Sequence, residues 1–332
     1  MTEHQFVLEA RGVVKRYAAH TALRNVSIQV PNQSIFGLLG PNGAGKTSLI
    51  RIINQITGPD EGTIHINGSR LAQEHIKDIG YLPEERGLYK KMKVGDQALY
   101  LAQLKGMKKS TAKKELLIWF EKFDIADWWG KKVEELSKGM AQKVQFITTI
   151  LHQPKLLILD EPFSGFDPIN TKLIKDEILK LREEGATVIL STHNMESVEE
   201  ICSHIALIDK AENVLSGEMD KIKNDFSKNE YKVVFKGNVV AFANSFWGGF
   251  ELIEKNQLSK DVFEAQIRLM DNVKLNDFLT GIIPNCEIQS IQPVVPRMND
   301  IFIEVVEKVK KVEPAELGNH SSETGHKANN DE

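Results

Sequence analysis

Ser34-Ile35-Phe36-Gly37-Leu38-Leu39 runs into Gly40-Pro41-Asn42-Gly43-Ala44-Gly45-Lys46-Thr47, and then into Ser48-Leu49-Ile50-Arg51-Ile52-Ile53. The first segment is a short apolar run, the second a glycine-rich loop, and the third has a helical pattern. Strand, loop and helix in that order are the context that makes Gly-x-x-x-x-Gly-Lys-Thr a phosphate loop rather than an ordinary glycine turn. The glycines let successive N–H groups of Gly40 to Gly45 wrap a phosphate chain. The helix that follows turns its positive dipole end, with Ser48 in its first turn, toward the same phosphates. Lys46 then neutralises phosphate charge, and the Thr47 hydroxyl is placed to hold Mg²⁺.

Working outward, Leu156-Leu157-Ile158-Leu159-Asp160-Glu161 is an aliphatic run that ends in two acids. Burial of that run fixes both carboxylates at the carboxyl edge of a sheet, where such folds bind ligands. Asp160 is then the second candidate Mg²⁺ ligand. Glu161 is the candidate general base that polarises an attacking water, a role worth about 10²–10⁴ in rate. Alone, the pair reads equally well as a solvated acidic turn before Pro162; the upstream phosphate loop decides for chemistry.

Between these motifs the pattern changes. Val26-Ser27-Ile28-Gln29-Val30 alternates as a half-buried strand does, and Phe6 to about Val30 reads as strands. Gly62 to Gly68 reads as a hairpin strand closed by Asn67-Gly68. From about Lys91 to Ile150, Leu99, Leu101, Leu104, Leu116, Trp119, Phe120 and Phe123 follow a helical period, so a helical insert interrupts an α/β core. The core resumes at Leu156, with further strands at Thr187 to Ser191 and Ile205 to Ile208. Lys223 to Glu230 reads as a polar linker. Strand-like runs at Lys232 to Phe235, Val262 to Leu269 and Cys286 to Ile291, with a helix at Val273 to Leu279, indicate a small α+β appendage. The polar stretch after Glu313, including His320 and His326, has the composition of a solvated, disordered tail.

Whole-chain quantities narrow the class. A formal net charge of −4 argues against a nucleic-acid binder. Cys202 and Cys286 match no metal or redox spacing and read as free thiols in a reducing compartment. No stretch approaches the roughly 20 apolar residues of a membrane span, and Met1-Thr2-Glu3-His4 has no secretory pattern. The lysines between Lys105 and Lys114 read as a solvated helical face, and Trp128-Trp129 as local packing.

Leu136-Ser137-Lys138-Gly139-Met140 precedes a helical pattern at Val144, Ile147, Thr148 and Leu151, which makes Ser137 a helix N-cap. This pentapeptide resembles the LSGGQ signature of ATP-binding-cassette (ABC) ATPases, with Lys138 and Met140 where Gly and Gln are usual. The family's other motifs occur in its order over residues 6 to 220. Tyr17 matches the aromatic that stacks on adenine, and Ser164-Gly165-Phe166-Asp167 resembles the loop that couples two active sites. His193 matches the switch histidine that contacts the γ-phosphate. Taken singly, Tyr17 also fits a core aromatic, Asp167 a helix cap before Pro168, and His193 a capping or packed residue. Glu84, in Gly80-Tyr81-Leu82-Pro83-Glu84-Glu85-Arg86-Gly87-Leu88-Tyr89, takes the place of the family's glutamine.

That segment, the signature and Met298-Asn299-Asp300-Ile301-Phe302 resemble the ATPase components of ABC-2-type exporters, the subgroup of the sodium-efflux ATPases called NatA. The resemblance implies an α/β fold: a P-loop NTPase cassette over residues 1–222, with a mixed sheet core, an antiparallel β subdomain and a helical subdomain at about 88–150. An α+β accessory domain would span 223–312 and a disordered tail 313–332. It implies ATP and Mg²⁺ as cofactors, a second ATPase subunit in a head-to-tail dimer, and a separate integral-membrane permease. Ser137, Lys138 and Gly139 would then face the γ-phosphate held by the partner subunit. The expected location is cytoplasmic, peripheral on the inner face of the cell membrane, with no nucleic-acid partner. A soluble ABC ATPase acting on ribosomes or DNA would carry two cassettes or long coiled coils; one phosphate loop and no sustained heptad run are present. A ligand-sensing regulatory ATPase is the third reading.

Overall fold

The computed structural model describes residues 5–316 apart from 19, 86, 246–248 and 271, with side chains as far as Lys308. The chain divides into two compact units. One runs to Met219 and includes the last helix from Phe302; the other is Asp220–Ile301.

In the first unit a six-stranded sheet has the order Glu212–Glu218, His204–Asp209, Ile35–Leu39, Thr187–Thr192, Leu156–Asp160, Ile79–Leu82. Its last five strands are mutually parallel, and Glu212–Glu218 adds antiparallel at one edge. Ile35–Leu39, Leu156–Asp160 and Thr187–Thr192 are buried at every position. This explains why they read as unbroken apolar runs rather than alternating ones. A second, antiparallel sheet is formed by His20–Pro31, Phe6–Tyr17, Glu61–Ile66 and Ser69–Arg70. Its apolar face, with Leu8, Val26, Ile28 and Ile64, shares one core with Phe36, Leu38 and the helix Lys46–Ile53. Asn67 and Gly68 close the expected hairpin at φ 48° and 76°.

The helical insert comprises Val94–Leu104, Lys109–Lys122 and Lys138–Ile150. Trp129 packs edge-on against Phe120 at 5.4 Å. Its indole lies so close to Gly95 that a β-carbon there would sit 2.3 Å from the ring. Lys105 departs from the solvated face expected of it, because its ammonium donates to the Ile76 and Ile79 carbonyls.

The second unit is a β-α-β-β-α-β arrangement in which Glu230–Gly237 lies between Val262–Leu269 and Cys286–Pro293, with Phe250–Ser259 outermost. This is the split βαβ, ferredoxin-like order. The helices Val239–Asn244 and Leu275–Ile282 contribute Phe242, Phe278 and Ile282 to a core with Val233, Phe235, Ile267 and Leu269.

Several boundaries differ from the sequence reading. The linker expected from Lys223 is occupied as far as Asp225 by the helix Met219–Asp225, anchored by buried Met219 and Ile222. The final helix, Met298–Glu316, runs through the accessory-domain limit of 312 and into the expected tail. Residues 317–332, with His320 and His326, lie outside the described residues. Cys202 is buried, Cys286 half-buried, and both are free.

Candidate nucleotide site

The parallel register assembles the site. Leu39 pairs with Thr192, Asp160 with Ser191, and Leu82 with Leu159. The residues just beyond those strand ends, Gly40, Glu84, Glu161 and His193, therefore meet along one carboxyl edge. A cavity of about 320 Å³ opens there, lined by Tyr17, His20, Asn42, Gly43, Gly45, Lys46, Thr47, Ser48, Glu84, Asp160 and Glu161, among others.

The loop needs its glycines. Gly40 and Gly45 have φ of 143° and 118°, and a β-carbon on either would lie within 2.3 Å of a backbone carbonyl oxygen. Lys46 is 7% exposed and donates to the Gly40 and Pro41 carbonyls at 2.7 and 3.1 Å. Burial lowers its affinity for a proton, while Glu161, Asp160 and Glu84 act the other way. Burial likewise pushes the Asp160 carboxyl above its ordinary range, with Glu84 and Glu161 adding to the shift.

The Thr47 hydroxyl lies 3.5 Å from Asp160 Oδ2. Two hard oxygens at that spacing suit Mg²⁺. Among the described residues no group of three or more His, Cys, Asp or Glu forms a metal cage. The Thr47 and Asp160 oxygens would fill part of an octahedral shell, and so fit an ion shared with substrate phosphates, the usual habit of Mg²⁺.

Glu161 is tightly held. Its φ of 50° is left-handed, a conformation that costs a residue with a β-carbon about 1–2 kcal/mol. Its N–H donates to the Ser191 carbonyl at 2.8 Å. Its carboxylate accepts from the Thr192 hydroxyl at 3.0 Å and the His193 N–H at 3.0 Å, and lies 2.6 Å from His193 Nδ1. Gln142, buried on the helix Lys138–Ile150, donates from Nε2 to the carbonyls of Pro162 at 2.9 Å and Glu161 at 3.3 Å.

Tyr17 is 40% exposed on the cavity rim and so is not the core aromatic of the alternative reading. Asp167 does cap the helix Pro168–Glu183, accepting from Asn170 N–H at 2.9 Å. Ser137 caps Lys138–Ile150 through Met140 N–H. Lys138 points neither to solvent alone nor into the cavity. Its ammonium is 3.5 Å from Ser164 Oγ and its methylenes lie beside Gly165. A β-carbon on Gly139 would be 3.2 Å from the Gly165 carbonyl. The signature thus packs on the Ser164–Asp167 loop of its own chain, while Ser137, Lys138, Gly139 and Asp167 are absent from the cavity lining. Sequence reasoning missed His20, Gln142 and Thr192.

Fold and site define a P-loop nucleoside triphosphatase. Residues 23–164 match the family model for ABC transporters, and residues 217–306 the model for the C-terminal domain of DrrA1-3-like ATP-binding proteins. The uncharacterized ABC transporter ATP-binding protein YhaQ of Bacillus subtilis is 42% identical over 300 residues, covering 89% of this chain and 96% of its own. The ATP-binding protein NatA of the same organism is 29% identical over 223 residues, 66% of this chain and 91% of its own. A solved ATP-binding subunit of an ABC transporter superposes with a TM-score of 0.62 at 29% identity, covering 66% of this chain and 93% of that one. The chain belongs to the ABC transporter ATP-binding proteins, the family that hydrolyses ATP to power transport. Among the described residues no helix is long and apolar enough to cross a membrane.

Proposed function

We propose that this chain is the ATP-hydrolysing subunit of an ABC-2-type exporter, working as a head-to-tail homodimer beneath a separate integral-membrane permease. The observation that carries this is the place of the signature. Ser137 and Gly139 sit at the exposed start of a helix, outside the chain's own nucleotide cavity. The orphan N–H groups of a helix start favour an anion, and a second subunit's γ-phosphate supplies one. Support for the exporter type comes from the DrrA-like C-terminal match and from relatives named for linearmycin resistance and lantibiotic transport. Na⁺ is the cargo suggested by the likeness to NatA, and the permease would select it.

Thr47 and Asp160 would hold Mg²⁺, which when bound offsets charge on the β- and γ-phosphates. Lys46 turns from the Gly40 and Pro41 carbonyls to those phosphates, Tyr17 stacks on the base, and Glu84 reads the nucleotide from just beyond the carboxyl end of Ile79–Leu82. Glu161 takes the proton of the attacking water as the bond from the γ-phosphorus to the β,γ-bridging oxygen breaks, and His193 steadies its carboxylate. The permease would dock in the groove of about 700 Å³ between core and insert, lined by Tyr81, Pro83, Leu88, Leu101 and Leu104 among others. Through it the subunit would lie on the inner face of the cell membrane.

Glu161→Gln tests the reading. It should yield an ATP-dependent dimer by light scattering with turnover lowered by roughly 10²–10⁴. A wild-type protein that stays monomeric at full activity overturns the dimer. Copurification with ribosomes or DNA instead of an integral-membrane protein overturns the exporter.

A further inference from the structure

We propose that Thr192 is a positioning residue that aims the Glu161 carboxylate; this rests on Glu161 being the base. Thr192 ends the central strand Thr187–Thr192, is 1% exposed, and does not line the nucleotide cavity. Its hydroxyl has one hydrogen to give and two lone pairs. The Asn194 N–H donates to Thr192 Oγ1 at 3.1 Å, so the hydroxyl hydrogen is directed at Glu161 Oε2, 3.0 Å away.

The carboxylate's own accounting shows why this matters. An ionised carboxylate offers about four lone-pair sites. Two on Oε1 face the His193 N–H and Nδ1, and one on Oε2 takes the Thr192 hydroxyl. The remaining Oε2 site is the one left to receive a proton from water. Rotation about Cγ–Cδ moves both oxygens together. Once the exposed His193 ring turns away, only the His193 N–H and the Thr192 hydroxyl among the described residues resist it, and without Thr192 a single bond is left to direct Oε2. The His193 side chain is 65% exposed, and its likeness to the family's switch histidine would turn its ring from Glu161 to the γ-phosphate once ATP is bound. Buried Thr192 is the partner that stays fixed when His193 engages substrate.

The test is steady-state ATP hydrolysis by full-length Thr192→Val, Thr192→Ala and Thr192→Ser, with melting temperatures measured alongside. Val and Ala should lower kcat toward the roughly 10²-fold loss of a base displaced by about 1 Å, with KM for ATP unchanged. Ser restores the hydroxyl and should stay within about threefold of wild type. In a Glu161→Gln background Thr192→Val should add no further loss, because residues acting as one unit are not additive. The proposal is overturned if whichever of the Val and Ala variants folds keeps kcat within about twofold, if Ser loses as much as they do, or if the double-variant losses multiply. Should Glu161→Gln alone hydrolyse ATP at the wild-type rate, the base assignment fails instead, which is a separate result.

Discussion

Gln142→Met separates a catalytic tether from a packing residue. Met has nearly the length and volume of Gln and no polar atoms, a swap that buried sites tolerate well. In the structure Gln142 Nε2 donates to the Pro162 and Glu161 carbonyls, while its buried Oε1 has no partner among the described residues. Losing the bond to the Glu161 carbonyl, which keeps the Ser164 N–H, costs about 1 kcal/mol; stripping the buried Pro162 carbonyl of its donor costs about 1–3 kcal/mol, and removing the unpaired Gln142 oxygen returns about 1–3 kcal/mol. The net loss is about 1 kcal/mol, a melting shift of about 2–4 °C.

Turnover should not be spared. Glu161 holds a left-handed φ of 50°, and such strain persists only when the surroundings fix it from several sides. Without Gln142, the Glu161 carbonyl keeps, among the described residues, the Ser164 N–H contact at 3.2 Å. A base misplaced by about 1 Å loses roughly 10²-fold in kcat. Steady-state hydrolysis over a range of ATP concentrations, with a thermal melt on the same sample, checks this. A kcat within about twofold of wild type refutes the tether, and a melting temperature that collapses together with kcat assigns Gln142 to packing.

Two further outcomes follow from buried charge. Burial raises the Asp160 carboxyl above its unfolded value, so the stability that neutral, protonated Asp160 contributes is fully present below the unfolded value and is lost, as the buried carboxyl ionises, when pH rises through the folded one. Asp160→Asn should raise the melting temperature of the nucleotide-free protein by about 2–4 °C at pH 8 and less at pH 4, while abolishing Mg²⁺-dependent hydrolysis; an unchanged or lower melting temperature at pH 8 contradicts it. Burial, aided by the Lys105 charge, pushes His152 down from 6.5 to about 4. Its contribution is present above the unfolded value and is lost as pH falls from 6.5 toward about 4, so His152→Leu should flatten the melting curve in that window and leave it unaltered above pH 7.

What could be read in advance was chemistry written in contiguous residues. The phosphate loop announces itself because wrapping a phosphate needs glycine at positions such as Gly40 and Gly45. Leu156–Asp160 announces itself because a parallel strand buried on both faces has no polar interruption before its terminal acid. Gln142 and Thr192 could not be found this way, since they act on Glu161 across 19 and 31 residues of chain. Phe250–Ser259 went unseen because an outermost strand with one half-buried and nine exposed residues has no alternation to detect. Val239–Asn244, at six residues, is too short for a helical period to show. The polar composition of Lys223 to Glu230 hid the end of a helix whose anchors, Met219 and Ile222, lie before the stretch itself.

The contacts around the signature also bear on how two sites would fire together. Ser137 caps one end of Lys138–Ile150, and Gln142, little more than a turn further in, grips the peptide of Glu161. Lys138 and Gly139 lie against Ser164 and Gly165, just beyond the same turn. An α-helix is stiff over that distance, so a pull on its start is felt at Gln142 with little loss. In the proposed head-to-tail pair the pull comes from ATP held by the partner, whereas Glu161 serves the ATP held by its own chain. Occupancy of one site would then set the posture of the base in the other, through a path of about five residues. A Gln142→Met protein should accordingly hydrolyse ATP not only slowly but with less cooperativity in ATP concentration than wild type. A slow variant whose Hill coefficient matches wild type would place the coupling elsewhere, in the Ser164–Asp167 loop.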